Sequence, residues 1–387
     1  MERLTPAILS LSRTLHAHPE LSLEEFRSAA LLTRFLESEG FRVRRGVGGL
    51  ETAFVARKPG RRGGPRLAFL AEYDALPGIG HACGHNLIGA AAAGAGAALG
   101  RTIRDLRGEV VVIGTPAEET IGGKAVLVDR GLFDGIDAAL MFHPSTEDRV
   151  YTTSLACHSL EVVFHGRAAH AVAAPEQGIN ALDALIRLFV DLERLKRRLP
   201  REVRMPGIIA EGGKRANIVP DRAVGRFTLR ARNLRTLGRV ERAFRGAVRG
   251  AARATGARST IRSLDHPYAE MVTNRVMADI FKRELASMGR RTVDTPRTRM
   301  GSLDMGNVSQ TVPSIHPYVA VAPQSAPLHS RGFARFAGGP RGRAGLLVAT
   351  RALALSALAA LTDDEVLSRS RREFAAFRHR RGARRRR

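Results

Sequence analysis

LAFLAEYDALPGIGHACGHN, residues 67–86, joins a short apolar run to a glycine-rich loop that carries two carboxylates, two histidines and a cysteine. The apolar run, 67–71, predicts a β-strand, and α/β enzymes place functional groups in loops just past strand ends. Cys83 and His85 are separated by a single residue, so both can turn toward one metal ion. The stretch therefore predicts a metal centre at a strand end; a turn that merely contains a cysteine is the plainer alternative.

Strands and helices alternate along the first part of the chain. We expect strands at 51–57, 66–71, 109–115 and 138–142, and helices at 8–15, 23–36 and 87–99. The last of these helices is nearly all alanine and glycine, which lets a helix pack close against a sheet. This alternation predicts an α/β fold with a doubly wound, mostly parallel sheet.

The pattern changes at Cys157. Strands are predicted at 158–166, 204–210, 223–231 and 259–264, and helices at 180–195 and 234–254. The resulting order, βαββαβ, is that of a ferredoxin-like unit. After Asp265 the pattern of the first domain resumes. We therefore expect residues 157–265 to be a domain inserted into a larger domain of residues 1–156 and 266–368. The remaining basic tail, 369–387, is expected to be disordered.

The chain is strongly basic, with 62 Lys and Arg against 37 Asp and Glu and a formal net charge of +25. Such an excess is typical of proteins that contact nucleic acid or acidic membranes. An arginine-rich composition with a solvated tail explains it without a partner, and no aromatic residue interleaves with the last arginines. We therefore predict neither a nucleic-acid nor a membrane partner.

The cysteine content and the apolar segments indicate the compartment. The chain has two cysteines, Cys83 and Cys157, which excludes a disulfide framework and favours a reducing environment. Its N-terminus lacks the apolar segment of a signal peptide. The apolar segment 345–361 is interrupted by Arg351 and is short for a membrane span, so we interpret it as a buried helix. These observations predict a cytoplasmic protein.

Further parts of the chain place metal-ligand residues after apolar runs. The sequence GTPAEE, 114–119, ends in adjacent glutamates that point in different directions, so one can bind metal while the other faces the attacking water. His143 ends another apolar run, and His329 lies late in the chain. Singly these signals are ambiguous, because a Glu pair is often a solvated turn and an isolated histidine is more often a core residue. Together with Cys83 they form a Cys, His and Glu set that suits zinc, with manganese, cobalt or nickel as alternatives.

With these motifs the chain resembles the aminoacylase and glutamate-carboxypeptidase family of dinuclear metallopeptidases, and in particular its amidohydrolase branch with a cysteine ligand. The resemblance covers nearly the whole chain. It rests on HAHPELS (16–22), the stretch 72–86, GTPAEE (114–119), GRAAH (166–170), PEQGINA (175–181), ANIVPD (216–221) and GSLD (301–304). The form of residues 72–86 is similar to that of p-aminobenzoyl-glutamate hydrolases and β-alanyl-lysine dipeptidases.

The resemblance implies two divalent metal ions in each subunit, with zinc favoured. The residues that match the family's ligands are Cys83, His85, Glu119, His143 and His329. Glu118 matches the general base, which takes a proton from the attacking water and passes it to the leaving amine. Asp74 matches an acid next to the ligands that orients the site.

The resemblance also gives the inserted domain the role of a lid and a dimerisation domain. His170 matches a residue that reaches the partner subunit's site and donates to the tetrahedral oxyanion, which requires a homodimer through this domain. Asn217 and Arg230 match positions that hold the free carboxylate of the substrate. A guanidinium can bind a carboxylate with two parallel hydrogen bonds. For Arg230 the alternative is one more surface arginine.

These residues predict a metal-dependent amidohydrolase or dipeptidase that cleaves the amide bond next to an amino acid with a free carboxylate. The expected substrates are N-acyl amino acids, aminobenzoyl-glutamate and dipeptides. One alternative is an aminoacylase of the hippurate or auxin-conjugate type, which shares the chemistry but has an apolar acyl pocket. A second alternative is a non-catalytic binding scaffold whose basic tail contacts nucleic acid. The presence of Glu118 and of all the matching ligands argues against that scaffold.

Overall fold

The computed structural model describes residues 1–295 and 301–383, and the chain divides into two compact units. The second unit consists of Ser154–Glu270 and Gly301–Leu303. The first unit contains the rest of the described chain. The chain therefore leaves the first unit after Thr153, returns to it at Met271 and visits the second unit again at 301–303.

Strands and helices alternate in both units. In chain order the strands are β1 (Arg42–Arg45), β2 (Phe54–Pro59), β3 (Arg61–Ala71), β4 (Arg107–Gly114), β5 (Ala138–Leu140), β6 (His143–Ser145), β7 (Ala156–His165), β8 (Gly207–Glu211), β9 (Arg222–Ala231), β10 (Arg258–Ser263), β11 (Ser314–Ile315) and β12 (Tyr318–Ala320). The helices are α1 (Thr5–Ala17), α2 (Phe26–Ser38), α3 (His85–Gly100), α4 (Gly123–Asp129), α5 (Ala181–Lys196), α6 (Leu234–Thr255), α7 (Arg275–Ser287), α8 (Met305–Ser309), α9 (Arg331–Gly338), α10 (Pro340–Thr362) and α11 (Asp364–Ala383).

The main sheet of the first unit has six strands in the order β1-β2-β4-β3-β5-β11. β3 pairs in parallel with β4 and β5, and β5 pairs in parallel with β11. β2 runs antiparallel to both β1 and β4, so one edge of the sheet is antiparallel. The predicted α/β fold with a parallel sheet is confirmed in its parallel strands. β6 and β12 form a separate parallel pair.

The carboxyl ends of β3 and β4 lie side by side in the core. Leu67–Ala71 and Val110–Ile113 are fully buried, which is the reason that both segments are continuous apolar runs in the sequence. Ala71 is paired with Gly114, and the two strands are parallel. The loops that begin at Glu72 and Thr115 therefore start at the same edge of the sheet.

Helix α3 packs closely between β4 and α1 because its side chains are small. A Cβ atom on Gly96 would lie 2.4 Å from Cγ2 of Val112, and one on Gly94 would lie 2.7 Å from Cδ1 of Ile8. Larger residues cannot occupy these positions without displacing their neighbours. The first residue of α3 is His85, so this packing also fixes the position of a predicted metal ligand.

Within the described chain, one helix, α10, is long and apolar enough to cross a membrane, with a mean hydropathy of 1.8 in its most apolar window. Inside the structure 61% of that window is buried. Core helices have the same composition, and α10 packs against α3 and α7. The buried helix predicted at 345–361 lies within α10.

The expectation that the tail 369–387 is disordered was wrong for its described part. α11 continues to Ala383 and packs against α7. Buried Ser370 donates to Oδ1 of Asn274 and its carbonyl accepts from Nδ2 of Asn274, both at 3.0 Å. The Glu373 carboxylate accepts from the backbone N–H groups of Arg275 and Val276, which satisfies free donors at the start of α7. Residues 384–387 lie outside the described part.

The second unit contains a four-stranded antiparallel sheet in the order β10-β7-β9-β8. Along the chain its elements follow in the order β7, α5, β8, β9, α6, β10. The helices α5 and α6 pack on the sheet through a buried apolar core that includes Leu160, Phe164, Leu188, Phe227 and Phe244. The buried members of this core all lie within Ala156–Ala257.

Candidate metal centre

The predicted metal ligands all lie in the first unit. Cys83 lies in the loop between β3 and α3, and Glu119 in the loop after β4. His143 begins β6, and His329 lies between β12 and α9. Gly84 has a φ of 78°, a left-handed conformation that suits glycine, and it turns the chain between Cys83 and His85.

Two of these loops contain residues with an uncommon backbone conformation. Ala117 has a φ of 59° and His329 a φ of 63°, which is rare for residues other than glycine. Such conformations cluster at functional sites, because the surrounding structure must hold them in place. Both occur within two positions of a predicted catalytic or ligand residue.

The ligand atoms of this cluster lie close together. Sγ of Cys83 lies 3.5 Å from Nε2 of His143 and 3.4 Å from Nε2 of His329. Oε1 of Glu119 lies 3.8 Å from Nε2 of both His85 and His329. The groups whose ligand atoms lie within 4.8 Å of one another are Cys83, His85 and His143; Cys83, Glu119 and His329; and His85, Glu118 and Glu119. Since these groups share members, they form one continuous cluster.

Two buried atoms of the cluster indicate that a cation fits there. Nε2 of His85 and Oε1 of Glu119 have no hydrogen-bond partner among the described residues. A buried polar atom without a partner costs about 1–3 kcal/mol, which a bound cation would offset. Thiolate, imidazole and carboxylate are the ligands of zinc and neighbouring transition metals. The donor set and its unpaired atoms therefore fit a divalent metal.

Asp74 orients His85 within the cluster. Nδ1 of His85 lies 2.9 Å from both the carboxylate and the backbone carbonyl of Asp74, which leaves Nε2 directed at the other ligand atoms. The second carboxylate oxygen accepts from Ser22 Oγ at 2.8 Å and from the backbone N–H of Glu119 at 3.0 Å. Burial favours the neutral acid, but the charge of His85 and these hydrogen bonds outweigh it and lower the pKa of Asp74 to about 2.

His143 is held as a neutral ligand. Burial lowers the pKa of His143 well below its ordinary value. Its Nδ1 lies 2.7 Å from the carbonyl oxygen of Pro144, so Nδ1 donates there and Nε2 presents a lone pair toward Cys83. His329 differs, because 58% of its side chain is exposed. The cluster is therefore open on the side of His329.

Glu118 differs from Glu119 in its environment. Burial raises the pKa of Glu118 well above its ordinary value, and the charges of Asp304 and Glu72 add to the increase. A carboxylate with a raised pKa accepts a proton more readily than an ordinary glutamate does. This is the property that the general-base role requires.

The structure adds buried side chains to this region that the sequence analysis did not assign. Glu72 was within the quoted loop, and its Oε2 lies 3.4 Å from Nε2 of His85. Buried Lys124 contacts both Glu72 and Asp304. The ring of buried His316 lies 5.4 Å from that of His143, centroid to centroid. The dipeptide His-Pro occurs at 143–144 and 316–317 but also at 18–19 and 266–267, so it does not single out these two histidines. For Lys124 we find no sequence signal either.

His170, Asn217 and Arg230 belong to the second unit. His170 and Asn217 lie in neighbouring segments, since the backbone N–H of Ala171 donates to the carbonyl of Asn217 at 3.0 Å. Arg230 lies opposite Cys157, whereas the chain reaches His170 beyond the other end of β7 at His165. Cys157 and His165 are roughly 26 Å apart along the strand. The structure therefore groups His170 with Asn217 and places Arg230 at the opposite end of the sheet.

Comparison with known proteins identifies the family. Residues 68–332 match peptidase family M20/M25/M40. The chain is 37% identical over 380 residues to the Xaa-Arg dipeptidase of Mus musculus, covering 94% of this chain and 88% of that protein. It is 33% identical over 293 residues to a component of the p-aminobenzoyl-glutamate hydrolase of Escherichia coli, covering 70% of this chain and 60% of that protein.

A solved structure has the same fold. The structure of a dinuclear metal-binding peptidase of family M20 from Bacillus subtilis superposes with a TM-score of 0.69. The match covers 93% of this chain and 99% of the other at 22% identity. The predicted family resemblance is confirmed, and the chain belongs to peptidase family M20/M25/M40, as a hydrolase of peptide or amide bonds.

Proposed function

We propose that this hydrolase is metal-dependent and cleaves the amide bond next to an amino acid with a free carboxylate. The observation that carries the proposal is the pair of buried ligand atoms Nε2 of His85 and Oε1 of Glu119, which lie 3.8 Å apart and find no hydrogen-bond partner in the described part of the chain. Glu118, with its raised pKa, adjoins that pair. A cation site and a proton-transfer group together meet the needs of metal-assisted hydrolysis.

The proposed metal content is two divalent ions, with zinc favoured over manganese, cobalt and nickel. Three overlapping groups of ligand atoms support more than one ion. The proposed ligands are Cys83, His85, Glu119, His143 and His329. A cysteine together with histidines favours zinc over harder cations. When bound, such ions polarise the scissile carbonyl and lower the pKa of the attacking water.

Glu118 is the proposed general base. It removes a proton from the water whose oxygen forms the new bond to the carbonyl carbon. It then delivers that proton to the amine nitrogen as the C–N bond breaks, which returns Glu118 to its carboxylate form. Asp74 keeps His85 in one orientation throughout, since its lowered pKa keeps it ionised.

The second unit is proposed to be a ferredoxin-like lid and dimerisation domain. Large apolar side chains are exposed on α5 and on the edge strand β8; they are Ile186, Val190, Ile208 and Ile209. Exposed apolar groups at a sheet edge favour pairing with a second copy, which supports a homodimer. Two free cysteines, both buried, support a cytoplasmic location.

His170 is proposed to donate to the tetrahedral oxyanion in the partner's site. Its Nδ1 accepts from the backbone N–H groups of Val172 and Ala173 at 3.3 and 3.1 Å. These two donors leave the ring proton on Nε2, the form that can donate to an oxyanion. Arg230 and Asn217 are proposed to hold the substrate carboxylate. Because they lie at opposite ends of the sheet, they would reach one carboxylate only from different subunits of the proposed dimer.

For the substrate we propose a dipeptide or an N-acyl amino acid. The mouse relative is named for dipeptides that end in arginine and the bacterial relative for p-aminobenzoyl-glutamate. A dipeptide is favoured, because the alignment with the dipeptidase covers more of both chains at higher identity. An aminoacylase of the hippurate or auxin-conjugate type remains the alternative.

The test is hydrolysis by the purified full chain loaded with Zn²⁺ or Mn²⁺ and read by mass spectrometry. The panel contains Xaa-Arg and β-alanyl-lysine dipeptides, p-aminobenzoyl-glutamate, N-acetyl amino acids and hippurate. We expect cleavage that depends on metal and is absent in Glu118→Ala. Equal cleavage by the metal-free protein, or by Glu118→Ala, would overturn the proposal.

A further inference from the structure

Lys124 is a buried cation that the proposed mechanism does not use. Its side chain is fully buried, and its Nζ contacts a carboxylate oxygen of Glu72 and lies 2.8 Å from Oδ1 of Asp304. Its backbone N–H also donates to Oδ2 of Asp304 at 2.9 Å. Burial opposes the charge, but the carboxylates of Asp304 and Glu72 outweigh it and raise the pKa of Lys124, so the side chain is an ammonium.

The three residues join segments that are distant in the chain. Glu72 follows β3, Lys124 lies in the first turn of α4, and Asp304 precedes α8. All belong to the first unit. An ion pair this deep in a protein costs desolvation free energy and is weak evidence for a stabilising role. Its geometry next to the metal cluster points to another role.

Glu72 is divided between Lys124 and the cluster. One oxygen contacts the ammonium, while Oε2 lies 3.4 Å from Nε2 of His85 and has no hydrogen-bond partner among the described residues. A separation of 3.4 Å is typical of two ligands of one ion. Even so, none of the ligand groups found in the described chain includes Glu72. Glu72 is therefore beside the cluster without being part of it.

We propose that Lys124 is a positioning residue that holds the Glu72 carboxylate out of the metal coordination sphere and keeps a coordination position open. A catalytic metal needs such an open position for water and substrate. Without the ammonium, Glu72 turns its charge to the metal next to His85, which tightens metal binding and blocks that position. This inference rests on the proposed metal site.

The decisive feature is that metal affinity and turnover change in opposite directions. In Lys124→Met we expect Zn²⁺ to bind about ten-fold more tightly, because ligand charge sets affinity, while turnover falls about ten-fold or more. A purely structural lysine would weaken both. The measurements are Zn²⁺ competition with a chromophoric chelator and kcat of the full chain at saturating metal.

Two further variants isolate Glu72. In Lys124→Met with Glu72→Gln, we expect the tight binding to return to the wild-type value. Glu72→Gln alone should leave Zn²⁺ affinity unchanged, because Glu72 is not a ligand while Lys124 holds it. Lys124→Arg keeps the positive charge and should retain wild-type affinity. Lys58→Met is the control for loss of a lysine. Lys58 pairs with Val110, at the end of the β2 and β4 pairing away from Gly114 and the loop that carries Glu118 and Glu119.

The visible spectrum of the Co²⁺-loaded protein reports the coordination directly. Lys124→Met should show weaker d–d absorption, since added ligands lower its intensity, and Glu72→Gln in that background should restore it. Unchanged or weaker Zn²⁺ binding in Lys124→Met would overturn the inference. If Lys124→Met does not fold, the Zn²⁺ affinity of Glu72→Gln tests the inference instead. Weaker Zn²⁺ binding in Glu72→Gln would mean that Glu72 is a metal ligand in the wild type, which would overturn the inference. A wild-type chain that binds no metal would instead refute the proposed function.

Discussion

The candidate metal cluster of the first unit and the residues proposed to meet the substrate in the second unit differ in how firmly they are held. In the cluster, His85 is 0% exposed and fixed by Asp74, and His143 is fixed by the carbonyl of Pro144. In the second unit, His170 and Asn217 are exposed, and the hydrogen bonds that the described residues make to the His170 ring come from the backbone of its own loop.

The proposed roles of the two sets of residues would account for this difference. Metal ligands must be positioned before the metal binds, and fixed partners around each ligand provide that geometry. Groups that meet the substrate gain from mobility, since closure over the substrate excludes water and completes the site. Substitutions in the candidate metal cluster should therefore change metal affinity, kcat or both. Substitutions of the second-unit residues should change kcat or KM and leave the metal content as in the wild type.

Glu118→Gln should have the largest effect. We expect kcat to fall about a thousand-fold, because a positioned general base contributes of that order. Metal content should be unchanged, since Glu119 and the four other proposed ligands remain. The measurements are kcat and elemental analysis of the same sample. The control is Glu193→Gln, an exposed glutamate on α5 that pairs with Lys196. Loss of metal together with activity would move Glu118 into the ligand set.

His170→Ala should follow, with kcat lower by about a hundred-fold or more, the usual cost of losing one oxyanion donor. Its metal content should equal that of the wild type, because His170 is not among the proposed metal ligands. Mixed with Glu118→Gln after subunit exchange, it should recover about a quarter of wild-type turnover. Half of the dimers are then heterodimers, each with one complete site. Verified heterodimers without recovery would rule out a shared site.

Asp74→Asn tests how far the fixed environment matters inside the first unit. We expect metal affinity to fall about 10–100-fold, because the partner that orients His85 is weakened. Ser22→Ala, which removes only a donor to the other oxygen of Asp74, should have a smaller effect. Equal affinity in Asp74→Asn and wild type would show that α3 alone positions His85.

The same variant has a defined pH dependence. The pKa of Asp74 is about 2 in the folded protein and 3.8 for the ordinary group, so its ionised form stabilises the fold above pH 3.8. That contribution is lost as the pH falls through 2. The difference in Tm between wild type and Asp74→Asn should therefore be constant near neutral pH and shrink between about pH 4 and pH 2.

The sequence was sufficient to predict the parts of the site that depend on local patterns. The apolar runs at 67–71 and 110–113 indicate buried parallel strands, and the loops after them necessarily start at one edge of the sheet. The Cys and His of 83–85 and the Glu pair at 118–119 therefore meet by topology. The structure brings these four residues together as the strand order leads one to expect, while their role as metal ligands and base stays a prediction.

Other features depend on contacts between distant segments, which a local pattern does not record. Lys124 lies 52 residues from Glu72 and 180 from Asp304 along the chain, and its neighbours in sequence give no sign of either contact. The tail has a charge pattern typical of disorder, but its part up to Ala383 is helical, and Ser370 and Glu373 satisfy polar groups at the start of α7. In both cases the partner, and not the segment itself, decides the structure.

Arg230→Lys should have the smallest effect and tests the substrate side of the comparison. A lysine keeps the charge but loses the two parallel hydrogen bonds to a carboxylate, so we expect KM to rise about ten-fold with kcat within a factor of two or so. The matched control is Arg226→Lys on the same strand, whose guanidinium already binds Glu161 at 2.9 Å.

The contrast between these two arginines decides what Arg230 does. Suppose that KM rises in Arg230→Lys and not in Arg226→Lys, and that the rise over the wild type is larger for an N-acyl amino acid than for its methyl ester. The guanidinium of Arg230 then recognises the free carboxylate. If both variants leave KM unchanged, Arg230 is one of the chain's many surface arginines, and the carboxylate is held elsewhere. A change in metal content in Arg230→Lys would contradict the proposed division between metal ligands in the first unit and substrate-contacting residues in the second.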